Sequence, residues 1–155
     1  MTKEDKELLL KDLSARLPYG VEADCVGEYV KIKYIDPHRS TAYISNLGKT
    51  KWESIEVITP YLRPMSSMTE EEREDFYQNV LDMDIEDVRY ENDGKLPLPY
   101  NQKDKFIWFE NIYLDNTFAV IDWLNAHHFD YRNLIEKALA IEVTEENNPY
   151  KNHKI

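Results

Sequence analysis

Cysteine is almost absent. Cys25 is the only one in 155 residues, so no intrachain disulfide can form and Cys-rich zinc sites are excluded. That usage fits a reducing compartment, and the chain is expected to be cytoplasmic. Glycine is scarce too. Four glycines leave little material for phosphate-cradling loops, and the chain holds no Walker loop, dinucleotide fingerprint, Gly-x-Ser-x-Gly elbow or His-Glu-x-x-His. Long apolar runs are missing as well. Nothing approaches the roughly 18 residues of a membrane span, and Leu8-Leu9-Leu10 behind a charged N-terminus is too short for a signal segment. No cofactor and no metal is implied by any of these patterns, and there is no internal repeat or low-complexity tract.

Positive charge is in short supply. Lysine and arginine number 19 against 30 acids, a formal net charge of −11. The excess is concentrated: residues 68–93 hold eleven acids and two arginines. Such a surface repels phosphate backbones, so direct nucleic-acid binding is not expected, whereas a basic protein partner or mimicry of a nucleic acid is compatible with it. Self-association is compatible with the composition as well. Aromatic residues are plentiful at 12%, eleven of them tyrosine, which with 42% hydrophobic residues marks a folding chain.

Taken in order, Thr2-Lys3-Glu4-Asp5 resembles a capping box with Asp in place of Glu. Leu9, Leu10, Leu13 and Leu17 then recur at helical spacing, so residues 3–17 read as an amphipathic helix stopped by Pro18. From Val21 the period becomes two. Strands are expected at 21–25, 30–34, 41–44 and 53–58, the last with Ile55 and Val57 inward, forming an antiparallel meander or a small SH3-like barrel. Pro60 and Pro64 then mark an extended connector at 60–68, which separates a helix-plus-sheet unit (1–59) from a helical unit (69–143); all of it could equally form one domain.

Thr69 and Glu72 form a second capping box, with Phe76, Tyr77, Val80, Leu81 and Met83 on the buried face. Residues 84–116 read as an irregular insert: strand-like alternation over 85–90, a loop around Pro97 and Pro99, and an apolar stretch at 106–109 that suits a buried strand or a binding patch. Asp115, Asn116 and Thr117 are N-cap candidates for a central helix over 117–128 bearing Phe118, Val120, Ile121, Trp123 and Leu124. Asp130 can cap a following turn that buries Leu134, Ile135, Ala138 and Leu139, and 144–155 reads as a polar, frayed tail. The fold class is therefore α+β: an N-terminal helix, a four-stranded antiparallel unit and a helical half.

Three phrases carry a resemblance: Ala15-Arg16-Leu17-Pro18-Tyr19-Gly20-Val21, Pro60-Tyr61-Leu62-Arg63-Pro64-Met65 through Glu72, and Asp122-Trp123-Leu124-Asn125-Ala126-His127-His128-Phe129-Asp130-Tyr131-Arg132 with Leu134 through Ala140. Together they cover about a quarter of the chain. The chain resembles a family of small uncharacterised proteins of gut Bacteroidetes and their phages or mobile elements. The resemblance implies an accessory product of such an element and carries over no activity and no site residue. Glycine stands at the positions of Asn133 and Ala138 in that family, so Ala138 argues against a left-handed cap there.

The segment from Asp122 to Arg132 has the densest potential chemistry. His127 and His128 are the only tempting acid–base or metal residues, and with Asp130, and Asp122 or Glu110, they would make a small metal-dependent hydrolase. Adjacent helical positions point about 100° apart, so one ion cannot take both histidines as it would an i,i+4 pair. The simpler assignment has them closing a helix while Asp130 caps the next element, with no catalytic residue. Arg132 is a candidate anion clamp, or else the partner of Asp130 or Glu136. Cys25 lies among apolar neighbours and reads as an inert buried thiol. The leading expectation is a non-catalytic protein that binds a partner through Glu71, Glu74, Asp75 and Asp82, with Tyr61 and Arg63 of the connector.

Overall fold

Thr2 starts the first element as the sequence predicts. In the computed structural model, which describes residues 1–99 and 114–151, its hydroxyl accepts from the Asp5 amide at 3.1 Å. The Asp5 carboxylate reaches back to the Thr2 amide and completes a capping box ahead of α1 (Lys3–Arg16). The buried stripe of α1 is Leu9, Asp12, Leu13 and Arg16, two leucines and two charges at 3–4 spacing. Leu10 and Leu17 are only half-buried, so two charged residues occupy part of the face that the periodicity assigns to leucine.

The strands are β1 (Val21–Cys25), β2 (Glu28–Asp36), β3 (Thr41–Asn46), β4 (Lys49–Ser54), β5 (Ile58–Leu62) and β6 (Ile141–Glu142). They form one sheet in the order β4-β3-β2-β1-β5-β6, antiparallel except for the β5–β6 pair. Leu9 and Leu13 of α1 share a core with Val21, Ala23, Val30, Ile32, Ala42, Ile44 and Ile58. Cys25 is buried in the same core, and that burial pushes its thiol pKa up.

Two expectations for this region are corrected. The alternation places a strand at 53–58, but β4 ends at Ser54, whose hydroxyl accepts from the Glu56 amide at 3.3 Å. A single 3₁₀ turn (Ile55–Val57) follows, and Val57 is exposed. That turn carries the chain to the far side of β1, so β5 pairs with β1 and the sheet stays open where an SH3-like barrel would close. The first residues of the 60–68 connector, 60–62, are likewise part of the sheet. Pro60 stands opposite Ala23 within β5, and β6 pairs only with Tyr61 and Leu62, which leaves residue 60 at an edge that needs no donor.

The chain clusters into two compact units, one from Met1–Arg63 with the chain from Arg132 onward, the other from Pro64–Tyr131. The first therefore owes its last strand to the end of the chain. Leu134, Leu139 and Ala140 pack with Leu62, and Leu8 of α1 joins them. Tyr150 is buried, donating its hydroxyl to the Tyr61 carbonyl at 2.9 Å, so the tail is anchored at least that far where the polar sequence suggests fraying.

In the second unit the Thr69–Glu72 capping box opens α2 (Glu70–Asp75), which runs on into one wide π turn (Phe76–Val80). Residues 85–90 are helical, not extended. Asp84 caps α3 (Ile85–Glu91) by accepting from the Glu86 amide at 2.9 Å, and only Val88 is buried, so two apolar residues two apart mimic a strand. The helix α4 (Leu114–Ala126) starts before the three N-cap candidates and buries Val120 and Leu124, while Phe118 is exposed. Met65, Met68, Phe76 and Phe129 complete that core. The apolar stretch 106–109 and Glu110 lie outside the described residues.

Between Tyr131 and Ala140 the chain makes successive turns with Asn133 at φ +60° and Ala138 at φ +56°. Ala138 thus adopts the left-handed conformation that its identity argues against, and it is exposed. The amide of Leu139 donates to Leu134 at 2.8 Å across this turn, and burying both leucines holds the alanine there. Left-handed backbone costs an L-residue about 1–2 kcal/mol, part of which glycine loses again through its freer unfolded chain. Ala138→Gly is expected to stabilise the protein by about 0.5–1 kcal/mol, read as a higher urea midpoint with unchanged slope.

Candidate functional site

The histidine segment is built as the end of a helix. The His128 amide donates to Asn125 at 3.1 Å and the Phe129 amide to Leu124 at 3.0 Å, with His128 itself at φ +61°. This is a left-handed C-terminal cap, and it buries His128 while Asp130 is buried two residues on. His127 points elsewhere. Its ring stacks on Trp123 with centroids 3.8 Å apart, and Nδ1 lies 2.9 Å from the Trp123 carbonyl, which can only accept, so Nδ1 carries the proton.

Trp123 is the hub of that cluster. Phe76 meets it edge-on at 5.0 Å, Phe129 lies nearly parallel at 5.8 Å, and its indole N–H donates to Asp75 Oδ2 at 2.7 Å. Asp75 Oδ1 accepts from Asn79 at 2.8 Å. Burial alone would raise the Asp75 pKa, but the hydrogen bonds from Asn79 and Trp123 hold it below the ordinary carboxylate value. Of the two assignments the sequence offers for His127, His128 and Asp130, a catalytic set or a helix end, the structure has His127 stacked on Trp123 and His128 in the cap that ends the helix. Asp122 is exposed. Among the described residues no group of three His, Cys, Asp or Glu side chains could hold a metal ion.

Arg132 reaches an acid far away in the sequence. Its Nε lies 3.3 Å from Asp12 Oδ1, and Arg16 grips the same carboxylate at 2.7 and 3.0 Å. Tyr61 faces Tyr29 across the sheet with centroids 6.4 Å apart, and Arg63 is half-buried after β5.

Two surfaces of the described chain remain available to a partner. The first is the acidic helical surface of α2 and α3. Both its arginines are engaged internally, Arg73 with Glu70 at 3.5 Å and Arg89 with Glu70 at 3.0 Å and with Glu74. Glu71, Asp82, Glu86, Asp87, Glu91 and Asp93 are exposed, so the two named acids that face solvent are Glu71 and Asp82, while Glu74 and Asp75 serve the unit itself. The second is the open face of the sheet. Tyr34, Tyr43 and Trp52 form one cross-strand row over β2, β3 and β4, with ring spacings of 5.9 and 5.2 Å. Tyr34 is 62% exposed and Trp52 53%.

Sequence reasoning sees the tyrosines of this row as strand residues but misses the row. It depends on the one-residue shift at Lys33, which turns Tyr34 to the side opposite Ile32 and Ile35. The charge beneath it was legible: residues 29–52 carry five lysines and arginines against one acid, the reverse of residues 68–93.

No protein-family model, no curated protein and no solved structure matches the chain. Among the described residues no helix is long and apolar enough to cross a membrane.

The Asp75 contact has a pH signature. Because its folded pKa is depressed, Asp75 stabilises the fold above its unfolded pKa of about 3.9, and that contribution fades as pH falls through the lower folded value. Asp75→Asn is expected to be less stable than wild type at pH 7, with the difference shrinking as pH falls below the unfolded value of about 3.9 in urea melts taken across that range.

Proposed function

We propose that this protein is a non-catalytic binding protein that docks a basic protein partner on the acidic surface of α2 and α3, in the setting of a phage or mobile element that its resemblance implies. The observation carrying this reading is that the acids of this surface outnumber its arginines, and both arginines are already engaged by Glu70 and Glu74. The exposed carboxylates around them hold a field that a lysine- or arginine-rich surface would neutralise. We prefer this reading to the hydrolase alternative, whose two histidines diverge, one into a ring stack and one into a buried cap.

Electrostatic docking of this kind is steered by long-range attraction and screened by salt. A tagged protein incubated in host lysate is expected to retain a stoichiometric basic partner at low ionic strength and release it at high. Reversal of Glu71, Asp87 and Glu91 to lysine is expected to weaken that complex by more than about tenfold, while the same positions changed to glutamine have an intermediate effect. A partner that survives both salt and reversal would reject the proposal.

A further inference from the structure

The strand β4 ends the sheet on one side, and its backbone shows which groups are unused. The Ile55 amide donates inward to Ser40 at 3.0 Å, and the turn Leu47-Gly48, both residues at positive φ, closes on the pair Asn46–Lys49. By the alternation of an antiparallel ladder, Lys49, Lys51 and Glu53 direct their N–H and C=O groups to β3. Thr50, Trp52 and Ser54 direct theirs outward, where no described strand pairs with them. An outward row of this kind is a template for another strand.

We infer that β4 pairs antiparallel with β4 of a second copy of this chain, about a two-fold axis at Trp52. In that register Thr50 and Ser54 of one copy exchange backbone hydrogen bonds with Ser54 and Thr50 of the other, and the two Trp52 residues exchange theirs. Side chains then decide the register. Lys51 and Glu53, which already pair at 2.8 Å within one strand, stand opposite Glu53 and Lys51 of the second copy, a ring of alternating charge. Centring the axis on Lys51 or on Glu53 would set like charges face to face. On the other surface the two Trp52 rings meet, joining the Tyr34–Tyr43–Trp52 rows of both copies.

The apolar residues flanking the strand obey the same symmetry. Leu47 is 98% exposed and Val57 38%, and each lies five residues from Trp52. In the symmetric register the Leu47 end of one β4 adjoins the Val57 end of the other, covering apolar side chains that are costly to leave in water. The lysines that ordinarily guard an edge strand are matched here by Glu53, so the edge is self-complementary.

The test is the oligomeric state of the full chain, measured by sedimentation over a concentration series. Wild type is expected to dimerise. Lys51→Glu and Glu53→Lys are each expected to weaken the dimer by about tenfold, and the double swap is expected to restore it. Ser54→Pro removes one outward N–H from each copy without disturbing β3, since Ser54 already sits at φ −64°. It is expected to dissociate the dimer. Ser54→Ala, which loses the same hydroxyl cap but keeps the N–H, is expected to leave the dimer intact. A wild type that stays monomeric at every concentration, or a dimer indifferent to Lys51→Glu, Glu53→Lys and Ser54→Pro, would overturn the inference; so would a double swap as weak as its parents.

Discussion

A fully buried carboxylate anchors the sheet unit. Asp12 is fully buried on α1, gripped twice by Arg16 one helical turn on and approached by Arg132 from the far end of the sequence. A lone buried charge is costly, and two guanidinium groups converging on one carboxylate offset that cost only in one geometry. The arrangement therefore ties the first helix to the returning chain, where leucine packing alone would tolerate sliding. Leu134 and Leu139 then settle against Leu62 and Leu8, and β6 finds β5.

With that closure made, the sheet has one dry face and one wet face. Leucines of α1 cover the first, while the second presents tyrosine, tryptophan and lysine in register. The charge of the chain divides in the same spirit, cationic along β2 to β4 and strongly anionic along α2 and α3. Both surfaces suit recognition. The residues with the greatest chemical potential on paper, His127 and His128, are consumed in finishing a helix and stacking on Trp123.

Much of this was legible beforehand wherever a local rule governs. Both capping boxes, the change from helical to strand period at Val21 and the buried thiol of Cys25 depend on neighbours within a few residues. Legibility failed where two rules compete. Val88 and Tyr90 alternate like a strand, but Asp84 supplies a helix cap and Tyr90 is simply exposed. Ile55 and Val57 alternate too, yet Ser54 caps a turn between them. Of the candidate site, the acidic excess was readable from composition, but which acids face solvent was not, because Glu74 and Asp75 are claimed by Arg89 and Trp123 from distant positions.

By itself the sequence determined the class of the fold, the starts of α1 and α2 and the sign and location of its charge, since these follow from residue identity and short-range spacing. Only the tertiary structure decided that Arg132 belongs with Asp12, that Pro60 lies inside a strand, that Ala138 accepts a left-handed turn and that three aromatic rings form one row. Each of these pits a local preference against burial elsewhere. The balance is struck by contacts between residues far apart in the chain, whose spacing carries no periodic signal.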